Sequence, residues 1–124
     1  MEEIKRGDIY LADLGNGIGS EQHGVRPVLV VQNNKGNHFS PTITVLPITT
    51  KIHKSKGLPT HVLIRNIGGL EQASAIMAEQ IVTIDRNRFF TYLGSISEKD
   101  MYRDVNKAIR IQLGLSRRGN DGRN

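Results

Sequence analysis

The sequence predicts a small domain that is mainly β, a single sheet or barrel, with one α-helix at its C-terminal end. Short runs rich in Val, Ile, Leu and Thr alternate with Gly, Asn and Pro along most of the chain, a pattern typical of small sheets and barrels. Residues 28–31 are apolar on both faces, which predicts a central strand. Apolar residues then recur every three or four positions after residue 100, which predicts a helix.

The Gly, Asn and Pro residues between the apolar runs set the bounds of each predicted strand. Six strands are expected, near residues 9–14, 28–32, 43–49, 61–64, 75–83 and 91–95. Ser97 is expected to begin the helix, with its hydroxyl accepting from the first-turn amides and Asp100 reaching back. The apolar stripe that should pack on the sheet comprises Met101, Val105, Ala108, Ile109 and Leu113.

Length and composition bound the class of protein. A chain of 124 residues is expected to form one domain, here assigned to residues 1–115, followed by a basic tail, 116–124, that should be disordered. The sequence has no Cys, which excludes thiol catalysis, disulfides and thiolate zinc sites. Apolar runs are far shorter than the roughly 18 residues of a spanning helix. With no secretory signal at the N-terminus, we expect a cytoplasmic protein and no membrane contact.

The net charge of +5 comes from one part of the chain. Residues 22–70 contain no acid, six Lys or Arg and all four His, so this acid-free window carries +6 and the remainder −1. A basic stretch within an ordered domain favours a polyanionic ligand such as a nucleic acid. A solvated surface that only confers solubility explains the charge equally well.

Metal and nucleotide sites are not supported by the motifs. The four histidines are 15, 15 and 8 residues apart, without the paired spacing of a zinc site. The glycines at 15, 17 and 19 lack the residues that complete a phosphate-binding loop. We therefore expect no metal and no cofactor, and interpret residues 15–19 as a flexible connector.

Arg26 is the first candidate for chemistry. It lies at the entrance of the predicted central strand, next to Pro27, which restricts the backbone there. A planar, always-charged guanidinium suits phosphate oxygens and the charged transition state of phosphodiester transfer. The alternative is a salt bridge to Glu21.

Two further pairs of polar residues lie at the end of one predicted strand and inside another. Thr49 and Thr50 close a strand just before Lys51, and hydroxyls beside a cation can bind a phosphate or a base edge, although threonine is also common in strands for its β-propensity alone. Glu79 and Gln80 stand inside an apolar run and must find polar partners. They either face solvent or line a groove.

With these residues in place, the chain resembles the MazF/PemK family of endoribonuclease toxins, in the form found in Gram-positive bacteria. The resemblance extends to about residue 115. Its most specific motifs, in this order along the chain, are Gly-Ser-Glu-Gln at 19–22, Arg-Pro-Val at 26–28 and Glu-Gln-Ile at 79–81.

The resemblance implies a fold, an assembly and an activity. The fold would be the small SH3-like barrel of the MazF/PemK/CcdB type with a C-terminal helix, assembled as a homodimer whose interface forms a groove for single-stranded RNA. The family cleaves RNA without a metal, by attack of the ribose 2′-OH on phosphorus, leaving a 2′,3′-cyclic phosphate and a 5′-OH. The partner that neutralises the toxin would be a MazE-like antitoxin with an acidic, flexible segment.

The resemblance also assigns residues. The family's catalytic arginine and threonine correspond to Arg26 and Thr49. Its RNA-contacting positions fall on Ser20, Glu21, Asn33, Thr50 and Gln80.

One departure from the family concerns the residue before Arg26. Some members have histidine there, whereas this chain has Val25, and its nearest histidine is His23. Our hypothesis is that His23 supplies the base, since histidine titrates near neutral pH; the alternative is an ordinary exposed loop histidine. Two other functions stay open on sequence: a toxin of the same fold that poisons DNA gyrase without catalysis, and an SH3-like module that only binds nucleic acid.

Overall fold

The computed structural model describes residues 3–67 and 69–115. It confirms a mainly antiparallel β domain that ends in a helix. The strands are β1 Asp8–Asp13, β2 Val25–Val30, β3 Thr42–Thr49, β4 His61–Ile64, β5 Ser74–Met77, β6 Val82–Asp85 and β7 Phe89–Ser95. The helices are α1 Asn34–Phe39, α2 Glu98–Asp100 and α3 Asn106–Leu113, with a π-helical turn at Met101–Val105 between the last two.

The strands form one curved sheet in the order β4-β5-β3-β2-β1-β7, with β6 paired to the other part of β3. As predicted from its apolar sequence, β2 is central: it pairs with β1 on one side and with β3 on the other. Val28, Leu29 and Val30 are fully buried. Burial on both faces follows from the position of the strand inside the sheet.

Pro47 marks the point at which β3 changes partners. Pairing with β2 ends at Pro47, which lies opposite Val28. On the other edge of β3, residues 42–45 pair with β6 and residues 48–49 pair with β5, so Pro47 stands between two ladders. Proline has no N–H to give to a ladder, so it suits the position where one ladder ends and another begins.

Two apolar clusters fill the two sides of the sheet. One lies beneath the C-terminal helix and joins Leu29, Leu46 and Ile76 to Met101 and Val105. The other contains Tyr10, whose ring packs edge-on against Phe89 with centroids 5.3 Å apart. Alternate residues of β2 and β3 serve the two clusters, so the sheet has no solvent-facing side along its central strands.

The predicted strand at 75–83 is wrong as a single element. A 3₁₀ turn at Ala78–Gln80 divides it into β5 and β6, which pair with different parts of β3. The divided strand lets Glu79 and Gln80 leave the sheet in the middle of an apolar run. The short helix α1 was not predicted; the side chain of Asn33 caps it by accepting from the Gly36 N–H at 2.8 Å.

The C-terminal helix begins where the sequence predicts it. The Ser97 hydroxyl accepts from the Asp100 N–H at 3.1 Å, but the Asp100 carboxylate accepts from Arg103 at 2.8 Å instead of reaching back to Ser97. Met101, Val105 and Ala108 are buried as expected and Ile109 partly so, whereas Leu113 is 51% exposed. Gly114 ends the helix in a left-handed conformation, φ 69°.

Within residues 3–67 and 69–115, no helix has both the length and the apolar character needed to cross a bilayer. The predicted basic tail, 116–124, lies outside the described residues.

Candidate functional site

Arg26 is the second residue of β2 and is held by the loop that precedes it. Its Nε donates to the main-chain oxygen of His23 at 2.7 Å. Glu21, the alternative partner considered from sequence, uses Oε1 to accept from the Ile18 N–H at 2.9 Å, and it forms no ion pair with Arg26 in the structure. Within the described part of the chain, the two terminal nitrogens of Arg26 have no hydrogen-bond partner. A guanidinium that is held through Nε and keeps its terminal N–H groups free is suited to an incoming anion.

Thr49 is the last residue of β3, and its hydroxyl accepts from the Lys51 N–H at 3.1 Å. The β2–β3 ladder ends with Val28 opposite Pro47. Arg26 and Thr49 each lie two residues beyond this last pair, at the parting ends of the two neighbouring strands. The two residues predicted to be catalytic therefore share one end of the sheet, and each is held to its own backbone by a hydrogen bond.

The loop before β2 is joined to the 3₁₀ turn through Gln80. The Gln80 side chain accepts from the Gln22 N–H at 3.2 Å and donates to the Ser20 carbonyl at 3.1 Å. The structure therefore brings Ser20, Glu21 and Gln80 to the same loop cluster as Arg26. It also gives both ends of the Gln80 amide a protein partner.

Asn33 does not join this cluster. It lies past the other end of β2, seven residues from Arg26, which is at most about 23 Å at the rise of an extended strand. There it caps α1 and borders a concavity of about 530 Å³ that is also lined by Arg6. Within this chain, Arg26 lies near the start of β2 and Asn33 lies just past its end.

Residues 50–59, a part of the acid-free window, form an exposed cationic loop immediately after Thr49. Thr50 and the lysines at 51, 54 and 56 are exposed, and a 3₁₀ turn, Ile52–Lys54, shapes the segment. Three ammonium groups in this loop create a positive field beside the end of β3. Such a field attracts a phosphate backbone.

In the described residues, no three His, Asp or Glu side chains lie together in a way that could hold a metal ion. The chemistry that this end of the sheet offers consists of fixed N–H and O–H donors. A guanidinium and a hydroxyl can stabilise negative charge on a phosphate during transfer.

Residues 5–113 match the family model described as PemK-like, MazF-like toxin of type II toxin–antitoxin system. The chain belongs to this toxin family.

Relatives of this MazF-like chain can be aligned with it over most of its length. It is 50% identical over 113 residues to a protein of Staphylococcus saprophyticus named Endoribonuclease MazF, covering 90% of this chain and 92% of that one. It is also 50% identical over 113 residues to Endoribonuclease EndoA of Bacillus subtilis, covering 90% and 96%. A solved mycobacterial endoribonuclease in complex with its cognate antitoxin superposes with a TM-score of 0.74 at 27% identity, covering 91% and 97%.

One polar network of this MazF-like chain was not predicted from the sequence. His61 Nε2 lies 2.6 Å from a Glu79 carboxylate oxygen, and its Nδ1 lies 2.6 Å from the Ser55 hydroxyl. Thr60 donates to the other Glu79 oxygen at 2.9 Å. The signal for it was Glu79 itself, a carboxylate in an apolar run, but the spacing did not identify which residues would satisfy it.

Proposed function

We propose that this MazF-like toxin is a sequence-specific endoribonuclease that cleaves single-stranded RNA. The observation that carries the proposal is the Arg26 guanidinium, tethered through Nε with its terminal nitrogens free, at the end of the sheet that also holds Thr49. Relatives at 50% identity that bear the name endoribonuclease support the same activity. The cationic loop that follows Thr49 supplies attraction for the RNA backbone.

The proposed reaction is an intramolecular displacement at phosphorus. The ribose 2′-OH gives up its proton as its oxygen attacks the adjacent phosphate, the bond from phosphorus to the 5′-oxygen breaks, and the leaving 5′-oxygen takes up a proton from water, so the products are a 2′,3′-cyclic phosphate and a 5′-OH. Arg26 and Thr49 donate hydrogen bonds to the phosphate oxygens as charge develops there. We assign charge stabilisation to Arg26 because a guanidinium does not readily give up its proton.

His23 is our hypothesis for the group that takes the 2′-OH proton. Its Nδ1 lies 3.3 Å from the Glu21 carbonyl, and because a carbonyl only accepts, this contact places the proton on Nδ1 and leaves Nε2 free to accept one. The main-chain oxygen of His23 binds Arg26, so the imidazole belongs to the loop that holds the guanidinium. Replacing His23 with Ala should slow cleavage and change its pH profile. An unchanged rate and profile would mean that His23 is only an exposed loop residue.

The proposed surroundings of the enzyme are those of a toxin–antitoxin pair in the cytoplasm. The partner would be a MazE-like protein whose acidic, flexible segment occupies the positive groove, and the mycobacterial neighbour solved with its cognate antitoxin supports such a partner. We further propose a homodimer with the groove at its interface. Since Asn33 and Arg26 lie at opposite ends of β2, an RNA that contacts both must follow a long path or cross between protomers.

Incubating the purified protein with a long single-stranded transcript in EDTA tests the activity. The proposal expects cuts at a recurring short motif, with cyclic-phosphate ends, and their loss in Arg26→Ala. Intact RNA from the wild-type protein would exclude the nuclease and favour the non-catalytic alternatives, a gyrase-poisoning toxin or a nucleic-acid-binding module. Supercoiling by gyrase in the presence of the protein then distinguishes these two.

A further inference from the structure

The cationic loop after Thr49 is anchored through one buried side chain. Between residues 50 and 59, Ser55 is the only buried residue, 4% exposed, and Ile52 is partly covered. Ser55 also ends the 3₁₀ turn, where its N–H bonds to the Ile52 carbonyl at 2.9 Å. The placement of three exposed lysines therefore depends on what holds Ser55.

His61 holds Ser55 and connects it to the turn at Ala78–Gln80. The His61 side chain is 6% exposed and bonds Ser55 through Nδ1 and Glu79 through Nε2, both at 2.6 Å. An ionised carboxylate only accepts, so Nε2 carries a proton toward Glu79, and in the neutral ring Nδ1 accepts from the Ser55 hydroxyl. The chain from Ser55 to Glu79 is then fully satisfied, with Thr60 occupying the second carboxylate oxygen.

The same turn holds the loop on the other side of the site. Gln80, adjacent to Glu79, bonds the backbone at Ser20 and Gln22. One turn of three residues thus fixes the cationic loop through Glu79 and the loop before Arg26 through Gln80. Arg26 and Thr49 lie between the two loops along the chain and in the sheet.

We propose that Ser55, His61 and Glu79 form a positioning network that sets the cationic loop for RNA binding. In the described residues its members form no hydrogen bond with the side chains of Arg26 or Thr49, and they act through the loop that carries Lys51, Lys54 and Lys56. This inference rests on the proposed nuclease function and adds positioning residues to it. Breaking the network should weaken RNA binding while the reacting groups stay in place, because Arg26 and Thr49 are held by separate backbone contacts.

The experiment compares two buried serines. Ser55→Ala removes the hydroxyl bound by His61, whereas Ser74→Ala is the matched control: Ser74 is 2% exposed and its hydroxyl donates to the Gln72 carbonyl at 2.9 Å, away from the network. KM and kcat are measured on a short RNA that carries a mapped cut site. Kd is measured on the same RNA with a 2′-deoxy nucleotide at the cut, which blocks the attack.

Ser55→Ala is expected to raise KM and Kd by roughly three- to tenfold, the value of one lost hydrogen bond, and to leave kcat unchanged. Ser74→Ala should lose thermal stability without a change in KM. Equal KM values for the two variants would overturn the proposal. If the wild-type protein cuts no RNA at all, the proposed function fails first, so the two failures are distinguishable.

Glu79 provides a second test in case Ser55→Ala does not fold, because its side chain is more exposed than that of Ser55. Glu79→Ala should raise KM as Ser55→Ala does. Glu79→Gln should restore it, because the glutamine oxygen can accept from Thr60 while its N–H donates to His61 Nε2, and His61 Nδ1–H then donates to Ser55. A glutamine variant as impaired as the alanine variant would overturn the hydrogen-bonded chain.

Discussion

The Nε atom of Arg26 donates a hydrogen bond to the main-chain oxygen of His23 across 2.7 Å. The bond uses the one guanidinium nitrogen that points back along the side chain and leaves the two terminal nitrogens free. Because the acceptor is backbone, the tether does not depend on the identity of residue 23. The guanidinium is therefore fixed in orientation without RNA, which is what the proposed electrostatic stabilisation of the transition state requires.

Arg26→Lys should be nearly as inactive as Arg26→Ala. A single ammonium cannot bond His23 and also present two parallel N–H groups to a phosphate. We expect kcat to fall by roughly 10²–10³-fold in both, the usual loss for one transition-state donor. Initial cleavage rates under saturating RNA measure this, with thermal melting as the control for folding. A lysine variant at the wild-type rate would contradict the bidentate role.

Thr49→Val and Thr49→Ser separate the hydroxyl from the shape of the side chain. Valine keeps the shape and removes the oxygen that accepts from Lys51, whereas serine keeps the oxygen. We expect kcat to fall by roughly 10²-fold for valine and far less for serine. If the two variants cleave a defined RNA equally fast, the Thr49 hydroxyl has no part in the reaction.

Gly114→Ala should cost stability and leave cleavage unchanged. A Cβ at this position would meet no atom of residues 3–67 and 69–115 within 4 Å, so the expected penalty is the left-handed backbone at φ 69°. That conformation costs an ordinary residue about 1–2 kcal/mol. Urea unfolding of Gly114→Ala beside Gly114→Asn checks it, since asparagine tolerates the left-handed cap better. Equal losses for the two would point to a cause other than backbone strain.

Asp8→Asn should stabilise the protein at neutral pH and lose this advantage in acid. Burial raises the pKa of Asp8 above its usual 3.8, partly opposed by a hydrogen bond from the Lys5 N–H and the charge of Lys5. The folded state therefore keeps a proton on Asp8 at a pH where the unfolded chain has released it, and stability falls as pH rises through that window.

Asparagine avoids this cost and retains an oxygen for the Lys5 N–H, which bonds Asp8 at 2.9 Å. The gain at neutral pH should stay under about 1 kcal/mol, because the carboxyl is partly exposed and screened. Urea midpoints of both proteins from neutral pH down to pH values below 3.8 measure the difference. A difference that grows on acidification would contradict the assigned direction.

The strands that the sequence predicts well are those whose burial is set by their own residues. The run at 28–31 is apolar on both faces, and the central strand β2 follows from that alone. The run at 75–83 looks equally continuous, but the turn at Ala78–Gln80 exists because two neighbouring polar side chains satisfy two different loops. Those partners are distant in sequence, so the spacing of apolar residues does not indicate them.

Helix α1 was not predicted because its own residues favour a helix only weakly. Gly36, Asn34 and Asn37 have weak helix propensity, and the Asn33 cap compensates for it.

In the candidate site, too, some features follow from the sequence and others depend on partners that only the structure reveals. Arg26 and Thr49 could be chosen from sequence because their residue types, positions at strand ends and family motifs all agree. Gln80 was expected to contact RNA, and the assignment stays a prediction, but the structure adds that its amide already bonds the loop at Ser20 and Gln22. Any base that binds Gln80 must share that amide or displace the loop.

The change of partner at Pro47 has a consequence for how this protein can diversify. Because β3 is locked in register with β2 and β6 before the proline and with β5 after it, it cannot slide without breaking several ladders at once. The backbone spacing between Arg26 and Thr49 is therefore set by the sheet, whereas the loop before β2 supplies the His23 oxygen that orients Arg26. Substitutions in residues 50–59 can change RNA binding while the spacing of the proposed catalytic pair is kept, so new sequence preferences can arise without a new active site.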